Sequence, residues 1–128
     1  MDIDYIVATY LGNNGFGTLG TSIFVDQIED NKNGIFITRS GGQMNNYVPI
    51  EESVVDIYVK NTSATTCKQT LEDIKRFIHR MHSTEVSSAF IYTFLVIGDI
   101  QPIGRDLEQA KIYKLSVQVV HRNTGLIS

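Results

Sequence analysis

One segment limits the possible folds more than any other: "SATTCKQTLEDIKRFIHRMH", residues 63–82. Ala64, Cys67, Leu71, Ile74, Ile78 and Met81 recur at alternating spacings of three and four. On a helix of 3.6 residues per turn this draws one apolar stripe. Ser63 stands just ahead of the stripe, where its hydroxyl can accept from a free N–H of the first turn. A helix with a single apolar stripe has to lie on another surface, and the rest of the chain supplies a sheet. "TSIFVDQI" (21–28), "GIFITRS" (34–40), "VVDIYVKN" (54–61), "SSAFIYTFLVIG" (87–98) and "KIYKLSVQVVHR" (111–122) are β-rich runs of period two. Val55, Ile57 and Val59 share one face of their run. In the last run Tyr113, Leu115, Val117 and Val119 point inward, while Lys114, Ser116, Gln118 and Arg122 point outward.

Between these elements the chain reads as connections. Residues 2–11 place Ile3, Ile6, Val7, Tyr10 and Leu11 at helical spacing, with Asp2 as N-cap and Gly12 as stop. "GNNGFGTLG" is a loop, and the polar "EDNKN" suggests a hairpin between the first two strands. Residues 40–53 read as irregular, with Pro49 barring a central strand, and residues 99–110 read as a turn region. The run 87–98 is apolar on both faces, Ile91, Leu95 and Ile97 on one and Phe90, Tyr92, Phe94 and Val96 on the other. That predicts a strand covered on both sides, or one whose outer face is an interface. The expected architecture is one α+β domain over residues 1–128. A mostly antiparallel sheet of about five strands carries one long helix and a short N-terminal helix. With one long helix for two apolar sheet faces, the short helix is expected to cover part of the second, and surplus apolar surface points to self-association.

Composition narrows the function classes. Of 128 residues, 42% are hydrophobic and 20% charged, which suits a single globular core. The net charge of −3 argues against gripping nucleic acid through a broad basic face. No apolar run approaches the roughly 18 residues a membrane span needs. The opening "MDIDYIVATY" carries two Asp and no Lys or Arg, unlike a secretory signal. One cysteine, Cys67, rules out an internal disulfide framework and a multi-Cys metal site, and fits synthesis in a reducing cytoplasm.

Several short motifs invite a chemical reading. "GFGTLG" (15–20) has G-x-G-x-x-G spacing. Pyrophosphate binding at such a loop needs a strand before it and a helix after, so that free helix N–H groups face the phosphates. Here a helix precedes and a strand follows, so the glycines read as a joint that frees the direction of the first helix. "FITRSGG" (36–42) offers Arg39, Ser40 and two glycines to an anion, but the Lys and helix of a phosphate loop do not follow. The plainer reading is a strand end turning sharply through Gly41 and Gly42. His79 and His82 lie three apart on the polar side of the long helix without a third ligand. His121 occupies an inward position late in the last strand, where an edge residue can be satisfied. Cys67 falls on the apolar stripe as a structural thiol. No nucleophile–base pair or carboxylate dyad emerges from spacing, so no catalytic, cofactor-binding or metal residue is assigned.

The succession of segments has a precedent. A short helix and Gly-rich joint run into "SIFVDQ", followed by "GIFITRSGG", a Pro-containing stretch into "VVDIYVKN", a helix opening "SATTCKQTLEDIKRFI", and a strand pair joined through "PIGRDLEQAKIYKLSVQV". The whole resembles the tail terminator and tail-completion (minor capsid) proteins of long-tailed bacteriophages, across nearly the full chain. The resemblance implies a non-enzymatic structural protein without cofactor, six copies of which form a ring. The ring would cap the tail tube, stop its polymerisation and join it to the head. It implies as partners further copies of the chain, the major tail tube protein and a head-completion or neck protein, with phage DNA passing through unread and no membrane. The place would be the head–tail joint of the virion, assembled in the host cytoplasm. Carried over residue by residue, Arg39, Gly41 and Gly42 match the strand-end motif, and Arg105 with Asp106 the turn before the last strand. These are the expected subunit or tube contacts. Two alternatives stand beside this: a head-completion stopper or connector of the neck, and a small ligand-binding module using Gly15–Gly20 or Ser40–Gly42.

Overall fold

A computed structural model of the chain describes residues 3–25, 33–44, 51–79, 84–86, 89–105 and 110–123. The elements run α1 (Ile3–Asn13), β1 (Ile23–Val25), β2 (Gly34–Met44), β3 (Glu51–Asn61), α2 (Ala64–His79), β4 (Thr84–Val86), β5 (Ala89–Arg105) and β6 (Lys111–Asn123). The strands form one sheet in the order β1-β2-β3-β6-β5-β4. Five of them answer to the five period-two runs, and β4 is a three-residue addition at one edge. The fold is α+β with a mostly antiparallel sheet; among the described residues only β1 and β2 pair in parallel as strands.

The period-two pattern places one side chain of every pair toward the helices. Ile37, Ile57 and Leu115 stand side by side across β2, β3 and β6, and Val55 and Val117 continue the same face. All five are fully buried or nearly so. Against this face α2 lays Cys67, Leu71, Ile74 and Ile78, none more than 1% exposed. At about 1.5–3 kcal/mol for each fully buried Leu or Ile, this stripe is what holds α2 to the sheet. Its start is fixed by Ser63, whose Oγ accepts from Thr66 N at 3.2 Å and whose backbone N–H donates to Asn61 Oδ1 at 3.0 Å.

The first helix lands on the same face, not on the opposite one. Ile3, Ile6, Val7, Ala8 and Leu11 belong to the one core that also contains the α2 stripe. Aromatic contacts tie this layer together: the Tyr10 ring of α1 lies 5.3 Å from Phe77 of α2 and 5.9 Å from Phe94 of β5, and Phe16, just past α1, lies 5.3 Å from Phe77. A helix as apolar as α1 buries more by sharing an existing core than by covering a second face alone. The opposite sheet face therefore has no helix on it among the described residues.

Six local features differ from the sequence expectations. Helix α1 continues through Gly12 to Asn13. Gly15 (φ +87°) takes the left-handed conformation that ends it, with Phe16 N donating to Leu11 O at 3.1 Å and Gly15 N to Gly12 O at 3.4 Å. The joint after it is a folded turn and not an open hinge. Thr18 O accepts from the backbone N–H groups of Thr21, Ser22 and Ile23, and Ser22 Oγ accepts from Thr18 N at 2.9 Å. Strands β1 and β2 pair in parallel, Ile23 opposite Ile35, so they are no hairpin; all of "EDNKN" but its last residue, Asn33, lies outside the described residues.

Strand β2 does not turn at its glycines. It runs to Met44, with a register shift between Arg39 and Gly41 that absorbs one residue as a bulge. Strand β3 likewise begins at Glu51, earlier than expected, and Pro49 lies outside the described residues. Strand β5 extends to Arg105 through Pro102, beyond the reach of β4, where the described residues place no further strand to need the missing N–H.

Candidate assembly surfaces

The bulges of β5 decide what its faces show. A register shift between Ile91 and Thr93 inserts Tyr92 as an extra residue. Simple alternation, which groups Ile91 with Leu95 and Ile97, is thereby overturned. Ile91, Phe94 and Val96 face the helices, with Phe94 opposite Val119 and Val96 opposite Val117. Leu95 and Ile97 face the other way, opposite Gln118 and Ser116. They are 53% and 45% exposed, among the most exposed large apolar side chains of the described residues. Exposed apolar surface on the sheet thus includes this short ridge, and Ile103, farther along β5, is exposed as well.

Polar ladders flank the ridge. Ser116 Oγ donates to Asp56 Oδ1 at 2.7 Å, and Gln118 Nε2 donates to Glu52 Oε2 at 3.2 Å. Farther along the same sheet face, Phe24 stacks on the fully buried Phe36 with centroids 5.1 Å apart. On the helix side, Gly98 (φ +74°) and the register shift between Ile97 and Gln101 bend β5. A groove of about 430 Å³ opens there between α2 and the β5–β6 pair. Lys68, Glu72 and Lys75 of α2 form one lip, and Asp99, Ile100, Pro102 and Tyr113 line the rest. The Lys68 ammonium sits 5.6 Å from the Tyr113 ring centroid.

The residues carried over by resemblance fall in two separate places. Arg39 is exposed on β2 just before the bulge, opposite Val55, while Gly41 and Gly42 pair with Val54 and Ser53. Arg105 ends β5 opposite Lys111, and Asp106 lies outside the described residues. Strands β3 and β6 stand between the two places, and Val55 and Asn61, their levels on β3, are about 20 Å apart along the strand. They form no single site.

The chemical temptations resolve into structure. The glycine loop has a helix before it and a strand after it, so no helix N-terminus faces Gly15–Gly20. His79 is exposed in the last turn of α2, and His82 lies outside the described residues. No group of three or more His, Cys, Asp or Glu suited to a metal occurs among the described residues. Cys67 is fully buried near the carbonyls of Lys111 (3.5 Å) and Asn61 (3.9 Å). Burial pushes its thiol pKa up, which favours the inert protonated form.

One pair escaped the sequence reading. Ser53 Oγ and His121 Nε2 are 2.9 Å apart across 68 residues of sequence. Both side chains face the helix layer from the central strands β3 and β6, and they are 0% and 1% exposed. His121 is therefore an inward residue with a partner, as expected, but it is central and not at an edge. Sealed from solvent, the hydroxyl lies where no substrate meets it, and the pair satisfies polar groups inside the core. Only the Glu51–His121 register, which sequence spacing cannot supply, reveals it.

A single sheet with both helices on one face, and an exposed apolar ridge on the other, is the frame on which the comparisons bear. The family model for the bacteriophage tail terminator protein matches residues 10–123, from the last turn of α1 to the end of β6. The chain belongs to the bacteriophage tail terminator family. The match takes in the whole sheet and α2, so the terminator's structural elements are those described above. A tail terminator is a structural component of the virion, and that role accounts for a molecule whose notable features are surfaces. No helix of the described residues is long and apolar enough to cross a membrane. A search of curated proteins finds no match to this terminator.

Proposed function

We propose that this terminator assembles as a ring, of six copies as the resemblance implies, on the end of the completed tail tube. There it stops addition of tube protein and offers the head-completion or neck protein its docking surface. The observation that carries the reading is the match over residues 10–123 together with the Leu95–Ile97 ridge, apolar surface that a lone chain leaves in water. The net charge of −3, repeated around a ring, gives a lumen that DNA crosses without sticking. No catalytic step belongs to this role. The Arg39–Gly42 bulge and the end of β5 at Arg105, with Asp106 next in sequence, are proposed as contacts to the tube or to neighbouring subunits. Because they lie far apart on the sheet, they serve two different contacts.

Deleting the gene from the phage separates this role from its neighbours. A terminator leaves overlong tails without heads. A neck stopper instead leaves tails of normal length and heads that leak DNA, and that outcome overturns the proposal.

A further inference from the structure

Beyond the ridge, the sheet face without helices ends in a cation that has nothing to bind. Arg122 shares the parity of Ser116 and Gln118 on β6, so it stands on that face, directly opposite Phe90. It is half-buried, and its Nε is shut off from water without a hydrogen-bond partner. Glu52 stands diagonal to it across β3 and β6, but turns the other way and accepts from Gln118 Nε2 at 3.2 Å. A polar atom kept dry and unbonded weakens a fold, and such local conflicts gather where function needs them. Beside Arg122 the Phe90 and Tyr92 rings meet edge to face, with centroids 4.9 Å apart. Leu95, opposite Gln118, lies four residues back along β6, about 13 Å away. We propose that this end of the face docks another protein of the virion, whose carboxylate pairs with Arg122 while apolar side chains about 13 Å away cover Leu95 and Ile97.

Charge and composition select that occupant. Arginine and tyrosine are among the side chains that most often anchor protein interfaces, and the arginine fork matches a carboxylate. A DNA backbone is held by several cations together, whereas this face carries Glu52 and Asp56. A second copy has no free acid to offer among the carboxylate side chains that the structure describes. Asp4, Glu52, Asp56 and Asp73 already accept hydrogen bonds, and Glu72 and Asp99 share the groove with Lys68 and Lys75. The complement of Arg122 therefore comes from a different chain. This inference rests on the docking role proposed above and adds to it a surface and an anchor.

Complementation of a phage lacking the gene tests it, with a thermal melt of each purified variant. Arg122→Met keeps an apolar stem and removes the unbonded nitrogen. Its melting temperature should hold or rise by a few degrees, while the titre falls about 30-fold or more, as for loss of a paired interface charge. Arg122→Glu should fall at least as far. Its suppressors should change an Asp or Glu to Lys or Arg in the gene of one other virion protein. Glu52→Gln should leave the titre unchanged. Wild-type titre with Arg122→Glu overturns the proposal, and overlong tails on gene deletion then leave the terminator reading standing. A loss shared by Glu52→Gln places the Arg122 contact inside the chain. Suppressors confined to this gene place it between copies, and complete particles that fail to pass DNA point to a phosphate. Each of these results overturns the proposal. If Arg122→Met melts below wild type, Arg122→Gln replaces it; a lower melting temperature for both makes the residue structural and overturns the proposal too.

Discussion

Gly34 shows how closely single residues are specified. It opens β2 at φ +147°, and a Cβ there would collide with the carbonyl oxygen of Ser22. That oxygen accepts from Ile35 N at 2.8 Å, the bond that leads β1 into its parallel pairing. Gly34→Ala should cost at least about 1–3 kcal/mol in urea unfolding, since it adds backbone strain and drives β1 away. Cys67 makes a pH prediction. Burial raises its pKa, so the native state keeps a proton that the unfolded chain releases. Above the unfolded thiol pKa of about 8.5 the unfolded state binds fewer protons, and stability should fall as pH rises. Cys67→Ala should flatten that slope in unfolding curves measured from pH 7 to 10. Ser53→Ala, which strips His121 of its hydroxyl partner, should cost about 1–3 kcal/mol. At this scale sequence legibility was uneven. The place of Cys67 on an apolar stripe revealed its burial, whereas Ser53 and His121 meet only through strand register.

At the scale of elements, α2 was legible from its stripe and its cap. Ser63→Ala should lower stability by about 0.5–2 kcal/mol, and Ser63→Gly by only a few tenths. Leu71→Ala should cost about 2–5 kcal/mol, because its site between α2 and the sheet is already filled on all sides. Both are read from chemical denaturation with far-ultraviolet circular dichroism. Strands β3 and β6 were legible too, since Val55–Val59 and Leu115–Val119 alternate without interruption. Strand β5 was not. An extra residue at Tyr92 and another at Ile103 shift its alternation twice, and a bulge carries no fixed residue signature. The parallel pairing of β1 was hidden for a different reason. A polar loop between two strand-like runs usually marks a hairpin, and three residues of strand are too few to signal otherwise.

For the whole molecule the telling fact is asymmetry. Both helices cover one sheet face and share one core, which leaves an apolar ridge on the other face and a charged groove beside α2. Fold class was readable in the order of segments, because that order follows from hydrophobic period, and the family in the resemblance that those segments carry. The assembly surfaces were not, because they depend on which face each bulge presents. The central claim is that this chain stops growth at the end of a tube. Negative-stain electron microscopy of tail-tube protein polymerising with and without the purified terminator tests it directly. The account predicts that small, substoichiometric amounts halt elongation, with the added protein at a single end of each tube. Tubes that elongate at an unchanged rate, or that carry the protein along their sides, would contradict it.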